Sequence, residues 1–157
     1  MNLSLMKVFY LFLSAFLFLL SFPQSVIAAT FVFSGTPESI SDDQSFSVNV
    51  SLSISGSSGN DYYLRGDFSH VDTPTSYFGY TKNNLGAWYN ADPILDYTQF
   101  YKVTMQSDGT WVGSMEVKPD ISNSKYKGTG GYNFKIRRYT STGQSNTWAD
   151  TISQIAI

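Results

Sequence analysis

From Ser45 to Ile54 the chain alternates without a break, with Phe46, Val48, Val50, Leu52 and Ile54 on one side and Ser45, Ser47, Asn49, Ser51 and Ser53 on the other. Only a period of two produces this, so the segment is a β-strand with one face buried. The pattern returns between Asp61 and Ser69, where Tyr62, Leu64, Gly66 and Phe68 alternate with Tyr63, Arg65 and Asp67. It returns again where Tyr132, Phe134 and Ile136 alternate with Asn133, Lys135 and Arg137. A strand opens at Thr30–Ser34, and the run Thr147 to Ile157 closes the chain with Trp148, Ile152, Ile155 and Ile157. No segment after residue 29 carries a helical period.

Turn chemistry separates these runs. Ser55 to Asn60 is Ser, Gly and Asn with nothing to bury. Asn83-Asn84 tolerates positive φ and predicts a hairpin joining Ser76–Lys82 to Leu85–Tyr89. Asp108-Gly109 predicts a second hairpin, joining Phe100–Gln106 to Thr110–Val117, and Ser141-Thr142-Gly143 turns the chain again. Asn90 to Thr98, with Asp92-Pro93 and Asp96, is the long irregular stretch, expected to cross from one sheet to the other. About 7 to 8 short strands with regular turns predict an all-β, two-sheet antiparallel sandwich.

Residues 1–29 read differently. Lys7 precedes an unbroken apolar and small run from Val8 to Phe22, then Pro23, then Val26-Ile27-Ala28-Ala29. The run falls short of the roughly 20 residues that span a bilayer, and a breaker follows it. This is the pattern of a secretory signal peptide cleaved after Ala28 or Ala29, leaving no membrane span; an uncleaved anchor is the alternative. Residues 30–157 are then a single domain, expected outside the cytoplasm, at a bacterial cell surface or in the medium. Cysteine is absent, so an exported domain of this kind is held by its core alone, a habit commoner in bacterial than in animal secreted proteins.

The C-terminal third, Gly131-Tyr132-Asn133-Phe134-Lys135-Ile136-Arg137 followed by Gly143-Gln144-Ser145 and Trp148 to Ile157, resembles the last two strands of immunoglobulin-like and fibronectin type III-like domains. The resemblance implies an immunoglobulin-like Greek key. It also places Tyr132 at a tyrosine corner, its hydroxyl bonding a nearby backbone carbonyl. The mature sequence is similar to exported proteins of bacteria, a likeness that implies export and supplies no activity.

Composition excludes several chemistries. Without cysteine there is no disulfide, thiolate metal site, cysteine nucleophile or lipidation cysteine. One histidine, His70, leaves no multi-histidine metal centre. A net charge of -2 offers no electrostatic reason for nucleic acid.

The candidate ligand platform is aromatic. Among Tyr77, Phe78, Tyr80, Trp88, Tyr89, Tyr97 and Tyr101, rings occur at both odd and even positions of the first hairpin, so one set leaves the core face. Trp88, Tyr89, Tyr80 and Tyr97 are the expected stacking residues for a sugar or a partner protein. The competing expectation is that these rings fill the core and strand edges. Arg65-Gly66-Asp67 matches the integrin tripeptide, but alternation sets Arg65 and Asp67 on one strand face, as a surface charge pair. The pairs Asp42-Asp43, Asp92 with Asp96, and Asp61 with Asp67 match no metal loop. Glu38 and Glu116 make no glycosidase pair. His70 has no nucleophile elbow beside it, since Gly56-Ser57-Ser58-Gly59 is one residue short. These observations predict a non-catalytic exported module, without cofactor or metal, that binds a cell-envelope protein or polysaccharide or serves as a structural part of the envelope. A carbohydrate-binding domain is the alternative, and a small hydrolase the third.

Overall fold

The computed structural model describes residues 29–143 and 146–157. The leader, apart from Ala29, lies outside the described residues, as do Gln144 and Ser145 of the last turn. The elements are β1 (Thr30–Ser34), β2 (Phe46–Ser53), β3 (Asp61–His70), β4 (Tyr80–Lys82), β5 (Trp88–Tyr89), a short 3-10 turn (Tyr97–Gln99), β6 (Tyr101–Thr104), β7 (Thr110–Lys118), β8 (Gly131–Thr140), β9 (Asn146–Trp148) and β10 (Ser153–Ala156). They form two antiparallel sheets, β1-β2-β7-β4-β5 and β10-β8-β3-β6, with β9 also paired to β8. With β5, β6 and β9 set aside, β1-β2-β7-β4 facing β10-β8-β3 is the Greek-key order of an immunoglobulin-like sandwich.

The described residues hold ten strands rather than seven or eight, partly because the closing run divides. Trp148 pairs with Arg137 in β9 and Ser153 with Phe134 in β10, and between them the chain turns to β1. There the Asp150 N–H donates to the Phe31 carbonyl at 2.7 Å, and Thr151 Oγ1 accepts from the Phe33 N–H. Past β1 the chain crosses over, and the Ile40 N–H donates to the Ala156 carbonyl. The outer edge of β1 is thus met by Asp150 and Thr151, and that of β10 by Glu38 to Ile40.

Inside, Val48, Val50 and Leu52 of β2 face Leu64, Phe68, Phe134 and Ile136 of the other sheet, all buried. Phe134 is the junction, with its ring 5.0 Å from Phe68, 5.3 Å from Phe33 and 5.4 Å from Phe46. Gly66 lies in the same layer, where a Cβ would stand 2.6 Å from Val117 Cγ1 and 3.1 Å from Phe134 Cε2. The sheets also touch there through a hydrogen bond from the Gly66 N–H to Thr81 Oγ1. Gly66→Ala is expected to cost about 1–3 kcal/mol by overpacking. Denaturant unfolding measures it, and a loss of under about 0.5 kcal/mol would mean that Val117 yields freely.

Both expected turns form, with different internal chemistry. Around Asn83-Asn84 positive φ falls on Gly86, while the Asn83 side-chain carbonyl accepts from the Leu85 and Ala87 N–H groups. At Asp108-Gly109 the turn closes, but it is not a hairpin: β6 pairs with β3 and β7 with β2 and β4, so it is a corner between sheets.

Asn84 has another use. β6 is an edge strand, and at Lys102 it meets the carboxamide of Asn84, which accepts from the Lys102 N–H at 2.6 Å and donates to its carbonyl at 3.0 Å. The side chain imitates a neighbouring strand. Asn84→Ala bares this edge, and sedimentation velocity is expected to show stronger self-association than wild type. Identical sedimentation at every concentration would contradict this role.

Candidate functional site

The outer face of the β8–β3 sheet carries Tyr63, Arg65, Asp67 and Ser69 from β3 beside Tyr139, Arg137, Lys135 and Asn133 from β8. Arg65 and Asp67 share this face as expected, but they are not on the surface: Asp67 is fully buried and Arg65 is 9% exposed. Period two fixes the side a residue points to and is silent on whether another layer covers it. Here that layer consists of the segment around Tyr77 and the Asn90–Phe100 stretch.

Asp67 is the centre of the layer. Its Oδ1 lies 2.7 Å from Arg65 Nε and its Oδ2 3.3 Å from Arg137 Nε. Neither oxygen receives an aligned hydrogen bond from a described residue, so the contacts are ionic. Burial pushes the Asp67 carboxyl above the ordinary carboxylate range, against the pull of Arg65, Arg137, Lys125 and Lys135.

Aromatic rings enclose the guanidiniums. Arg137 stands 4.0 Å from the Trp148 ring centre and 5.2 Å from that of Tyr77, Lys135 lies 4.6 Å from Trp148, and Tyr77 and Trp148 touch at 4.6 Å. Arg65 lies 5.3 Å from Phe100, whose ring stacks within 7° of parallel on Tyr139. Cation–aromatic contacts of about 0.5–2 kcal/mol each offset part of the cost of covering these charges.

Above Arg65 opens a cleft of about 340 Å³, walled by Tyr77, Asn90 to Pro93, Leu95 and Asn123 to Lys125. That is the small end of the range for ligand sites. Its walls are pinned. The Lys125 ammonium donates to the Tyr77 carbonyl, and Asn90 Nδ2 to Asp120 Oδ2. Ala91 holds φ +66°, a strained conformation for a residue with a side chain. Burial raises the Asp120 carboxyl, but hydrogen bonds from Ser122, Asn90 and Asn123 outweigh burial and hold it below the ordinary range. A larger cleft, about 450 Å³, lies between the Asn83–Leu85 loop and β6, and no buried charge lines it.

The four platform aromatics do not form one surface. Tyr80 and Trp88 come together on the outside of the other sheet, with the Lys118 ammonium 5.4 Å and 5.0 Å from their rings and Lys82 5.6 Å from Trp88. Tyr89 packs edge-on against Phe100 at 4.9 Å, its hydroxyl donating to the Ile94 carbonyl and accepting from the Asp96 N–H. It clips down the stretch that walls the cleft. Tyr97 lies against Tyr63 and Tyr139, its hydroxyl on the Ser141 carbonyl. Tyr132 is buried, and its hydroxyl donates to the Gly128 carbonyl at 2.6 Å and accepts from the Lys127 N–H.

The acids are dispersed. Asp61 binds Lys102 and Thr104, Asp96 caps the 3-10 turn, and Asp92 approaches Asn123. Glu116 binds Lys82 and Ser45. Among the described residues no group of three His, Asp or Glu side chains could hold a metal ion. His70 Nδ1 accepts from the Asp72 N–H, and its ring meets Tyr132 edge-on. Arg65 was visible in sequence as a charge. Its place in a cleft was not, because Asn90 to Pro93 and Asn123 to Lys125 carry no pattern linking them to it.

No family model matches the chain, and no curated protein does. Among solved structures it is similar to a FixG-related protein from Vibrio parahaemolyticus, at 9% identity and a TM-score of 0.47, over 83% of this chain and 97% of that one. It is also similar to a β-glucosidase from Listeria innocua in complex with isofagomine, at 12% identity and 0.41, over 82% of this chain and 16% of that one. A third is AvmM, which catalyzes macrocyclization in alchivemycin A biosynthesis, at 11% identity and 0.41, over 82% and 88%. None of these likenesses brings a function to the chain.

Proposed function

We propose that this chain is an exported, non-catalytic module that binds a component of the cell envelope through the cleft above Arg65. One observation carries this: a nearly buried arginine, fixed at Nε by Asp67, lines a cleft whose walls lie outside the sandwich core. A covered charge network costs stability unless its geometry is well satisfied, and binding gives a reason to hold Arg65 in place. Export rests on the leader pattern of residues 1–29. The non-catalytic reading is supported by His70, whose Nδ1 is taken by Asp72 and whose ring meets Tyr132 rather than a serine. Among the described residues no helix is long and apolar enough to cross a membrane.

A second reading keeps the aromatic platform in reduced form. Tyr80 and Trp88 are half-buried neighbours of Lys118 on the outside of the β1–β5 sheet and offer stacking faces for a polysaccharide.

One experiment covers both. Trp148 touches Tyr77 at the cleft, so a variant with Trp88→Phe and Trp111→Phe leaves Trp148 as the lone tryptophan reporter. Titration with soluble envelope polysaccharides is expected to shift its emission saturably. A shift confined to wild type and lost in Trp88→Ala would move the site to the platform, and no response to any polysaccharide or purified envelope protein would refute the binding reading. For export, expression with the native leader should yield an extracytoplasmic protein beginning at Ala29 or Thr30. Retention in the cytoplasm would refute it.

A further inference from the structure

Resting on the cleft as the binding site, we infer that its ligand is a carboxylate-bearing sugar, a uronate unit of an acidic polysaccharide, whose carboxylate meets the Arg65 guanidinium.

The argument begins with a shortage of acceptors. Asp67 is one carboxylate between two guanidiniums, and it reaches both through Nε. No described residue accepts a hydrogen bond from the terminal nitrogens of Arg65, although the residue is nine-tenths buried and lines the cleft. Only Nε, which faces Asp67, is enclosed, so the terminal nitrogens open to the cleft and are free to exchange water for a ligand's acceptor. The planar fork of an arginine fits the two oxygens of a carboxylate.

Charge points the same way. Lys125 stands at the rim with two of its three donors beyond its bond to the Tyr77 carbonyl. Lys135 and Arg137 add positive charge beneath. Of the acids, Asp67 is paired with the two arginines and Asp120 is turned to Asn90 and Ser122, leaving Asp92 as the one carboxylate in the cleft wall against Arg65 and Lys125. The rest of the lining suits a sugar ring better than a peptide. Ser124 offers a hydroxyl and Tyr77 an aromatic wall, Asn90 and Asn123 are held within the wall by Asp120, Asp92 and the Lys125 N–H, and the volume is small.

The test is calorimetric titration of the purified protein with oligogalacturonate, its methyl ester, and an acetylated tripeptide with a free C-terminal carboxylate. Saturable binding of the acid form is expected, at least tenfold weaker for the ester and for the tripeptide. Arg65→Lys should weaken it at least tenfold, and Lys125→Ala severalfold, with thermal unfolding confirming that each variant is folded. Lys125→Ala carries the test if Arg65→Lys does not fold. Equal binding of acid and ester would overturn the carboxylate assignment while leaving the binding site standing. Preference for the tripeptide would overturn the sugar assignment. Failure of all three probes would overturn the inference, and the polysaccharide titration of Trp148 would then show whether the binding reading fails with it.

Discussion

Asp67→Ala is expected to lower stability by about 3–5 kcal/mol, because it leaves two covered guanidiniums, Arg65 and Arg137, without a counter-ion or acceptor. The cost should follow the charge, since the contacts are ionic. Asp67→Asn keeps the shape but removes the charge and turns amide N–H groups toward one of the guanidiniums, so it is expected to cost nearly as much as alanine. Replacing the whole cluster with Asp67→Leu, Arg65→Met and Arg137→Met should be milder than Asp67→Ala alone. Denaturant unfolding of the variants decides it, and a triple variant worse than the single one would contradict the account.

Acid-base linkage supplies an independent check on the same residue. The carboxyl of Asp67 is raised on folding, so between its ordinary value of 3.8 and the raised folded value the native state binds more proton than the unfolded chain. Its contribution to stability therefore falls as pH rises through that window and is constant above it. Asp67→Asn lacks this component, so wild type should lose stability relative to it as pH rises from 3.8. The surface acids run the other way. Hydrogen bonds from Lys102 hold Asp61 low and those from Lys82 hold Glu116 low, so their stabilisation disappears as pH falls.

Phe134→Ala is the second large effect. Its ring meets Phe33 and Phe46 of one sheet and Phe68 of its own, so truncation opens a cavity where the two layers interlock. About 3–5 kcal/mol is expected, a drop in Tm of roughly 10–20 °C for a domain of this size. Phe134→Leu should lose less than half as much. Equal losses would mean that the aromatic contacts contribute little beyond filling space.

The sandwich was legible because its core strands obey one rule. In β2 and in the inner set of β3 and β8, apolar residues fall two apart and meet across the layers, and no other structure accommodates that spacing. The Tyr80–Trp88 neighbourhood followed from the hairpin. What could not be read was the third layer. Tyr139 and Asp67 sit on positions that alternation assigns outward, yet both are buried, since Phe100 and Tyr77 arrive from segments remote in sequence and Trp148 from the neighbouring strand β9. Asp108-Gly109 illustrates a related limit: its chemistry specifies a turn, while the destination of each flanking strand is set by partners elsewhere. The closing run concealed its division for the same reason, as Asp150 and Thr151 are drawn to β1.

The most direct test of the Arg65 cleft is a 15N-resolved NMR titration of the purified protein with oligogalacturonate. The account predicts shifts concentrated at Tyr77, Asn90 to Leu95 and Asn123 to Lys125, together with the side-chain Nε–H resonance of Arg65. Shifts concentrated instead at Tyr80, Lys82, Trp88 and Lys118 would place the ligand on the opposite sheet and contradict it.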